Sequence, residues 1–256
     1  MIILTLQEYV DSLKGRRIAV LGIGVSNTPL IDLLLKNDLP LTVCDMRTEE
    51  ALGDAAAALR ARGAQLRLGP GYLDDLDGFD YIFRTPGLLP TDPALVKAKA
   101  RGAVITSEME IFFRLCPCRT IGITGSDGKT TTSSIIAELL KAAGRRVHLG
   151  GNIGKPLLCE IPDFQPDDIA VLELSSFQLH SINIRPDVAV ITNVSPNHLD
   201  KHPDFDDYVN AKRQIFANQT ADDVLVVNRD NAYTARFGEE AKSRVLYFSR
   251  KETLSD

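Results

Sequence analysis

The chain has 256 residues, of which 44% are hydrophobic and 25% charged. That is the make-up of an ordinary folded domain or pair of domains, and it excludes a disordered, collagen-like or membrane-embedded chain. Lys plus Arg number 29 against 34 Asp plus Glu, a net charge of −5. A mildly acidic chain lacks the broad basic field that captures nucleic acid, so an anionic ligand must be held by helix N-termini and a few placed cations.

Taken in order, the first ~115 residues alternate strands and helices. The opening MIILTLQEYV has no basic flank and meets Gln7 and Glu8 early, unlike a signal peptide. Residues 16–22 form an apolar run ending in glycine and predict a buried strand. Residues 27–36 predict a helix, capped by Ser26 or Asn27 with Pro29 in its first turn. A strand is expected at 39–45 and a helix at 49–62, stopped by Gly63. Further strands are expected at 64–68, 79–84 and 103–106, with a helix at 92–101 before the last. Pro117, between Cys116 and Cys118, interrupts the pattern and marks the expected boundary between domain 1–116 and domain 117–256. Beyond it, strands are predicted at 119–124, 146–149, 168–173, 187–192, 223–228 and 244–249. Helices are predicted at 129–143 and 206–218. The four cysteines show no C-x-x-C spacing, which favours reduced thiols in a cytoplasmic protein. No apolar run approaches the ~18 residues of a membrane span.

The most informative stretch is Gly122-Ile123-Thr124-Gly125-Ser126-Asp127-Gly128-Lys129-Thr130-Thr131, between a predicted strand and a predicted helix. Glycines let the backbone curl its N–H groups toward phosphate oxygens, and the helix N-terminus adds a positive dipole end. In such a loop Lys129 can reach β/γ-phosphates and the Thr130 hydroxyl can bind Mg²⁺. The match to G-x-x-x-x-G-K-[ST] is imperfect, since Ile123 stands where the first glycine belongs. A second turn, Gly22-Ile23-Gly24-Val25-Ser26-Asn27, resembles a dinucleotide fingerprint with Asn27 at its third glycine. Asp45 follows about 20 residues on, where an acid can bind a ribose hydroxyl. The missing glycine leaves room for another ligand, such as a uridine diphosphate sugar.

Glu173 ends an apolar strand, where open α/β sheets place their ligands, and a carboxylate there suits Mg²⁺. His198 follows another strand and reads, by itself, as a loop histidine. Lys212 falls in an apolar stripe with Tyr208, Ile215 and Phe216. A desolvated lysine is partly neutral and can add CO₂ to give an anionic carbamate. The ordinary alternative is a packed stem with its ammonium in water.

Read together, GITGSDGKTTT, GGNIGKPL (150–157), LELSSFQL (172–179), TNVSPNHLDKH (192–202) and YVNAKRQIF (208–216) resemble the Mur ligase family of peptidoglycan synthesis. Within it they are most similar to the members that add D-glutamate. The resemblance extends through CDMR (44–47), RTPGL (84–88) and TSEMEIFF (106–113). It implies an α/β protein with a Rossmann-like N-terminal domain for a UDP-linked substrate, followed by a P-loop ATPase-type domain. Its cofactors would be ATP, Mg²⁺ at two sites and a carbamate on Lys212; its substrates would be UDP-N-acetylmuramoyl-L-alanine and D-glutamate.

Placed on this sequence, the resemblance implies that Val25, Ser26, Asp45, Met46, Arg47 and Gly87 line the UDP site. Asn152, Ser175 and Gln178 would face the substrate. Gly125, Ser126, Asp127, Gly128, Lys129, Thr130 and Thr131 would hold ATP. Thr130 and Glu173 would share one metal, and His198 and Lys212 would help place the second. Lys129, Glu173, His198 and Lys212 would be the catalytic set. Asp127 replaces a frequent Asn, and Pro196-Asn197 stands where an acid often precedes the histidine. The family's third domain does not lie within the 256 residues, so the expectation is a ligase fragment, inactive alone. Alternatives are a non-catalytic UDP-sugar or nucleotide-binding module, a sister ligase adding another amino acid, and an NAD-dependent oxidoreductase on Gly22–Asp45. A GTPase is disfavoured by the lack of an N-K-x-D motif.

Overall fold

A computed structural model describes residues 4–180, 182–197 and 200–254. The first half runs α1 (Leu6–Ser12), β1 (Ile18–Leu21), α2 (Thr28–Lys36), β2 (Leu41–Asp45), α3 (Glu49–Leu52), α4 (Asp54–Ala61), β3 (Gln65–Leu68), β4 (Tyr81–Arg84), α5 (Pro93–Ala100), β5 (Val104–Thr106) and α6 (Glu108–Leu115). The second runs β6 (Arg119–Thr124), α7 (Lys129–Ala142), β7 (Val147–Gly151), β8 (Ile169–Glu173), α8 (Ser176–Leu179), β9 (Val188–Ile191), α9 (Phe205–Arg213), β10 (Val224–Asn228), α10 (Ala232–Glu240) and β11 (Arg244–Phe248).

These elements form two compact α/β units. One holds the residues up to Leu115 together with Leu158–Pro162; the other holds Cys116–Leu157 and the residues from Asp163 on. The short segment 158–162 therefore departs from a simple linear division near residue 116. Within the first unit, the Leu158 N–H donates to the buried Glu108 carboxylate at 3.1 Å. Burial pushes the Glu108 carboxyl up to about 7.

The first unit carries a parallel sheet in the order β3-β2-β1-β4-β5, the second one in the order β11-β10-β9-β6-β8-β7. Central strands covered on both faces need unbroken apolar runs, and β1 and β2 are buried along their whole length. The edge strand β11 alternates exposed and half-buried positions instead. In each sheet the chain builds first to one side and then to the other. The switch falls between β1 and β4 in the first and between β6 and β9 in the second, where β8 inserts between β6 and β7. The crevice beyond the carboxyl ends of such strands is where open α/β sheets bind ligands. Among the described residues, no helix is long and apolar enough to cross a membrane. All four cysteines are free thiols.

The structure departs from the expected elements at several places. The helix expected over 49–62 is two helices, because Gly53 takes φ +52° between α3 and α4. The helix expected over 206–218 ends at Arg213, and Ile215 and Phe216 are buried in the turn that follows. Asn27 precedes α2 but does not cap it; its amide turns back to the Leu21 and Gly22 carbonyls at 2.9 and 3.1 Å. Helices α1, α6, α8 and α10 lie outside the helices expected from the sequence. Helix α1 opens on a Thr5–Glu8 capping box. Helix α6 buries Met109, Ile111, Phe112 and Leu115, each worth about 1.5–3 kcal/mol of apolar burial.

Candidate functional site

The phosphate-type loop leaves β6 at Thr124 and enters α7 at Lys129. Its conformation is fixed from the next strand across the switch point. The Ser126 N–H donates to the Asn193 carbonyl, and the Asp127 N–H donates to Asn193 Oδ1. In return, Thr192 Oγ1 and Asn193 Nδ2 donate to the Asp127 carbonyl at 2.7 and 3.1 Å. Ser126 Oγ donates to the Ser195 carbonyl, receives the Ser195 N–H, and shares a 2.9 Å hydrogen bond with the Tyr208 hydroxyl. Gly125 sits at φ +151°, and a Cβ there would run into Thr192 Oγ1. Only glycine lets the loop lie this close to β9.

Two amines converge on this loop. Lys129 Nζ donates to the Gly125 and Ser126 carbonyls, both at 3.0 Å. Lys212 Nζ, from α9, donates to the same Gly125 oxygen at 2.8 Å and lies 4.5 Å from the centre of the Tyr208 ring. Lys212 is 1% exposed, so its ammonium does not reach water as a packed surface lysine's would. Burial, aided by the positive charge of Lys129 and opposed by Asp127, brings its pKa down to about 7. A buried amine with a large neutral fraction near neutral pH is the state that carbamate formation requires.

The hard-oxygen donors gather beside the loop. Glu173 ends β8, in register with Ile123 on one side and Gly151 on the other. Thr130 Oγ1 donates to Glu173 Oε2 at 2.7 Å, and Asn152 Nδ2 donates to Glu173 Oε1 at 2.9 Å. The Asn152 N–H also reaches the Glu173 carbonyl at 2.8 Å. Gly151 makes this approach possible: it has φ +100°, and a Cβ would collide with the Glu173 carbonyl. A hydroxyl and a carboxylate, already within hydrogen-bond distance, make an oxygen donor set that fits Mg²⁺.

Ser175 and Gln178 form a capping box at the start of α8, each satisfying the other's backbone N–H. Gly128 and Asp127 are exposed at the loop, and Thr131 is exposed in the first turn of α7. His198 lies outside the described residues.

In the first unit, the turn after β1 is organised by an acid. Asp45, at the end of β2, accepts the Ile23 N–H at 2.7 Å and the Arg47 N–H at 2.9 Å. The Arg47 guanidinium pairs with both its oxygens and donates to the Ile23 carbonyl. Burial works to raise the Asp45 pKa, but the hydrogen bonds from Arg47 and the Ile23 N–H outweigh it and hold the pKa at about 2. Val25 and Met46 stand 75% and 72% exposed on this rim, with Ser26 half-buried beside them. Gly87 is exposed in the turn after β4, where the buried Arg84 donates to the Leu88 carbonyl at 3.1 Å.

Tyr208, Thr192, Asn193 and Ser195 were not singled out by the sequence as site residues. Asparagine and threonine directly after an apolar strand carried the available signal, since such residues often bond nearby backbone.

Comparison with known proteins follows the same two-unit division. The sequence model of the Mur ligase middle domain matches residues 123–256, and that of the MurD-like Mur ligase N-terminal domain matches residues 16–107. A UDP-N-acetylmuramoylalanine--D-glutamate ligase of Clostridium novyi (strain NT) is 50% identical over 250 residues, covering 98% of this chain and 55% of the relative. The protein of the same name from Ruminiclostridium cellulolyticum is 49% identical over 251 residues, covering 98% and 54%. The chain thus spans about half the length of the curated relatives it matches. The solved UDP-N-acetylmuramate:L-alanyl-gamma-D-glutamyl-meso-diaminopimelate ligase from Neisseria meningitides shares the fold. Its TM-score is 0.57 at 19% identity, over 94% of this chain and 82% of that one. Both units match in order, and the middle-domain model alone covers more than half of the sequence: the chain belongs to the Mur ligase family.

Proposed function

We propose that this chain supplies the UDP-substrate-binding and ATP-binding parts of a cytoplasmic ligase that adds D-glutamate to UDP-N-acetylmuramoyl-L-alanine. The observation that carries the reading is the convergence of Lys129 and Lys212 on the Gly125 carbonyl, beside the Thr130–Glu173 pair. In this reading the L-alanyl carboxylate attacks the γ-phosphorus of ATP, ADP leaves, and an acyl phosphate forms. The amine of D-glutamate then attacks the acyl carbon, loses a proton, and inorganic phosphate departs.

The chain's own residues act by position and charge. The curled loop presents backbone N–H groups to the phosphates, and Lys129 turns from the loop carbonyls to the phosphoryl oxygens. Thr130 and Glu173 would hold Mg²⁺, which when bound would neutralise charge on those oxygens. Lys212, once carbamylated, would join His198 in holding a second ion. Asp45 and Arg47 present the first turn to the uridine, while Val25 and Met46 cover its apolar faces. Asn152 steadies Glu173 and faces the substrate together with Ser175 and Gln178.

The test is a calorimetric titration of the chain with UDP-N-acetylmuramoyl-L-alanine and, separately, NAD. Saturable binding of the UDP compound with no heat from NAD is expected. Binding of NAD without the UDP compound would overturn the reading in favour of an oxidoreductase.

A further inference from the structure

A second cluster of metal-type side chains lies within the ATPase-type unit and uses no residue assigned above to ATP or Mg²⁺. His180 follows α8, His202 precedes α9, and Asp207 is in the first turn of α9. His202 Nδ1 lies 2.6 Å from Asp207 Oδ2, and His180 Nε2 lies 2.8 Å from Asp207 Oδ1. One ligand atom from each of the three residues falls within 4.8 Å of the others.

We propose that His180, His202 and Asp207 form a binding site for a first-row transition metal of the Zn²⁺ class, distinct from the Mg²⁺ positions at the phosphate loop. Two imidazoles and one carboxylate are borderline donors that select Zn²⁺, Co²⁺ or Ni²⁺ over Mg²⁺. Bonds of about 2.0–2.1 Å to a tetrahedral ion would set the donors about 3.3 Å apart. The two hydrogen-bonded pairs, at 2.6 and 2.8 Å, need to open by about 0.5–0.7 Å to reach that spacing.

The surroundings are those of a built site. The Ser176 hydroxyl lies 2.9 Å from His202 Nε2, on the far side of the ring from Asp207. With Nε2–H donating to Ser176, His202 presents a bare Nδ1 lone pair to the ion, the usual outer hydrogen bond of a metal-bound histidine. Phe177 stacks on the His202 ring and Tyr208 meets it edge-on, so the ring is fixed by packing as well. Both histidines are buried, whereas the Asp207 side chain is 24% exposed. That leaves a wet side where water completes the coordination. Tyr208 also bonds Ser126, so an ion here would stiffen the α9 segment that carries Lys212 to the loop.

The test is titration of the purified chain with Co²⁺ in excess Mg²⁺, read by visible absorption. One equivalent should produce intense d–d bands without the near-ultraviolet signature of thiolate ligation, and Zn²⁺ should displace it and raise the melting temperature. His180→Gln and Asp207→Asn should each abolish the bands, and Cys116→Ser/Cys118→Ser should keep them. Imidazole ¹⁵N spectra of the parent chain give a readout that needs no variant. His180 and His202 should shift with one equivalent of Zn²⁺, while His148, which pairs with Asp168 at 2.7 Å and stacks on Phe164, should stay. Unshifted His180 and His202 resonances, or bands lost with the cysteines, would overturn the proposal and leave a hydrogen-bonded His–Asp–His cluster only.

Discussion

The two units each place a glycine turn between a central strand and a helix, yet the turns are wired oppositely. After β1, the Ile23 N–H is already taken by a carboxylate, Asp45, so negative charge sits where a phosphate would bind. After β6, the loop carries its own Asp127, but the Lys129 amine lies on the Gly125 and Ser126 carbonyls and the buried Lys212 amine on Gly125. Glycine spacing makes both turns possible, but the charge brought to them from elsewhere in the chain decides what each can hold. In the proposed reading the first takes the uridine and the second the phosphates of ATP.

The sharpest way to break this contrast is at Lys212. In a ligase of the relatives' full length that carries this segment, Lys212→Ala should lower turnover by ~10²–10³-fold, the usual effect of removing one preorganised group. A short carboxylic acid should partly restore the rate. Unchanged turnover would remove Lys212 from the site. Next comes the loop backbone. Gly125→Ala should cost about 1–3 kcal/mol or more in urea denaturation, because its Cβ meets Thr192 Oγ1 and the Asn193 carbonyl. Gly22→Ala should cost less, since its nearest neighbour is the Thr85 side chain at 3.0 Å. Equal losses would show that the two turns are equally tight.

The titrations separate the turns by pH. Asp45 has a folded pKa of about 2, below its ordinary value, so its contribution to stability is full above about pH 4 and fades as pH falls toward 2. Lys212 has a folded pKa of about 7, below its ordinary value, so the unfolded chain holds the extra proton between about 7 and 10. Stability should therefore rise across that range. Asp45→Asn should flatten the acid limb and Lys212→Met the alkaline one, both measured by denaturant midpoints. The smallest stability effect is expected on the exposed rim: Val25→Ser or Met46→Ser should change stability by no more than about 0.5 kcal/mol. Both should still weaken UDP-ligand binding in calorimetry.

The sequence carried the sheet architecture because central parallel strands are continuous apolar runs, as in residues 18–21 and 169–173. It carried the strand–loop–helix at 119–142 because an apolar run, a glycine-rich turn and a helix start follow one another directly. Helix α1 is signalled only by Thr5 and Glu8, a capping box three residues apart, because its seven residues are too few for a clear helical period. The burial of Lys212 was open from pattern alone: periodicity puts it on the apolar face but does not say whether a carbonyl waits at its tip. The Asn27 amide filling the turn, the Tyr208 bond to Ser126 and the His180–Asp207–His202 cluster depend on contacts between distant segments, which spacing does not encode.

The central claim is that the phosphate-binding power lies in the second turn and not in the first. Parallel calorimetric titrations with Mg²⁺–ADP and UDP-N-acetylmuramoyl-L-alanine, on the parent chain and on Lys129→Ala, test it most directly. The account predicts that Lys129→Ala loses ADP binding and keeps the UDP ligand with its parent affinity. Retention of ADP by that variant would contradict it, as would an equal loss of both ligands by a variant that still melts like the parent.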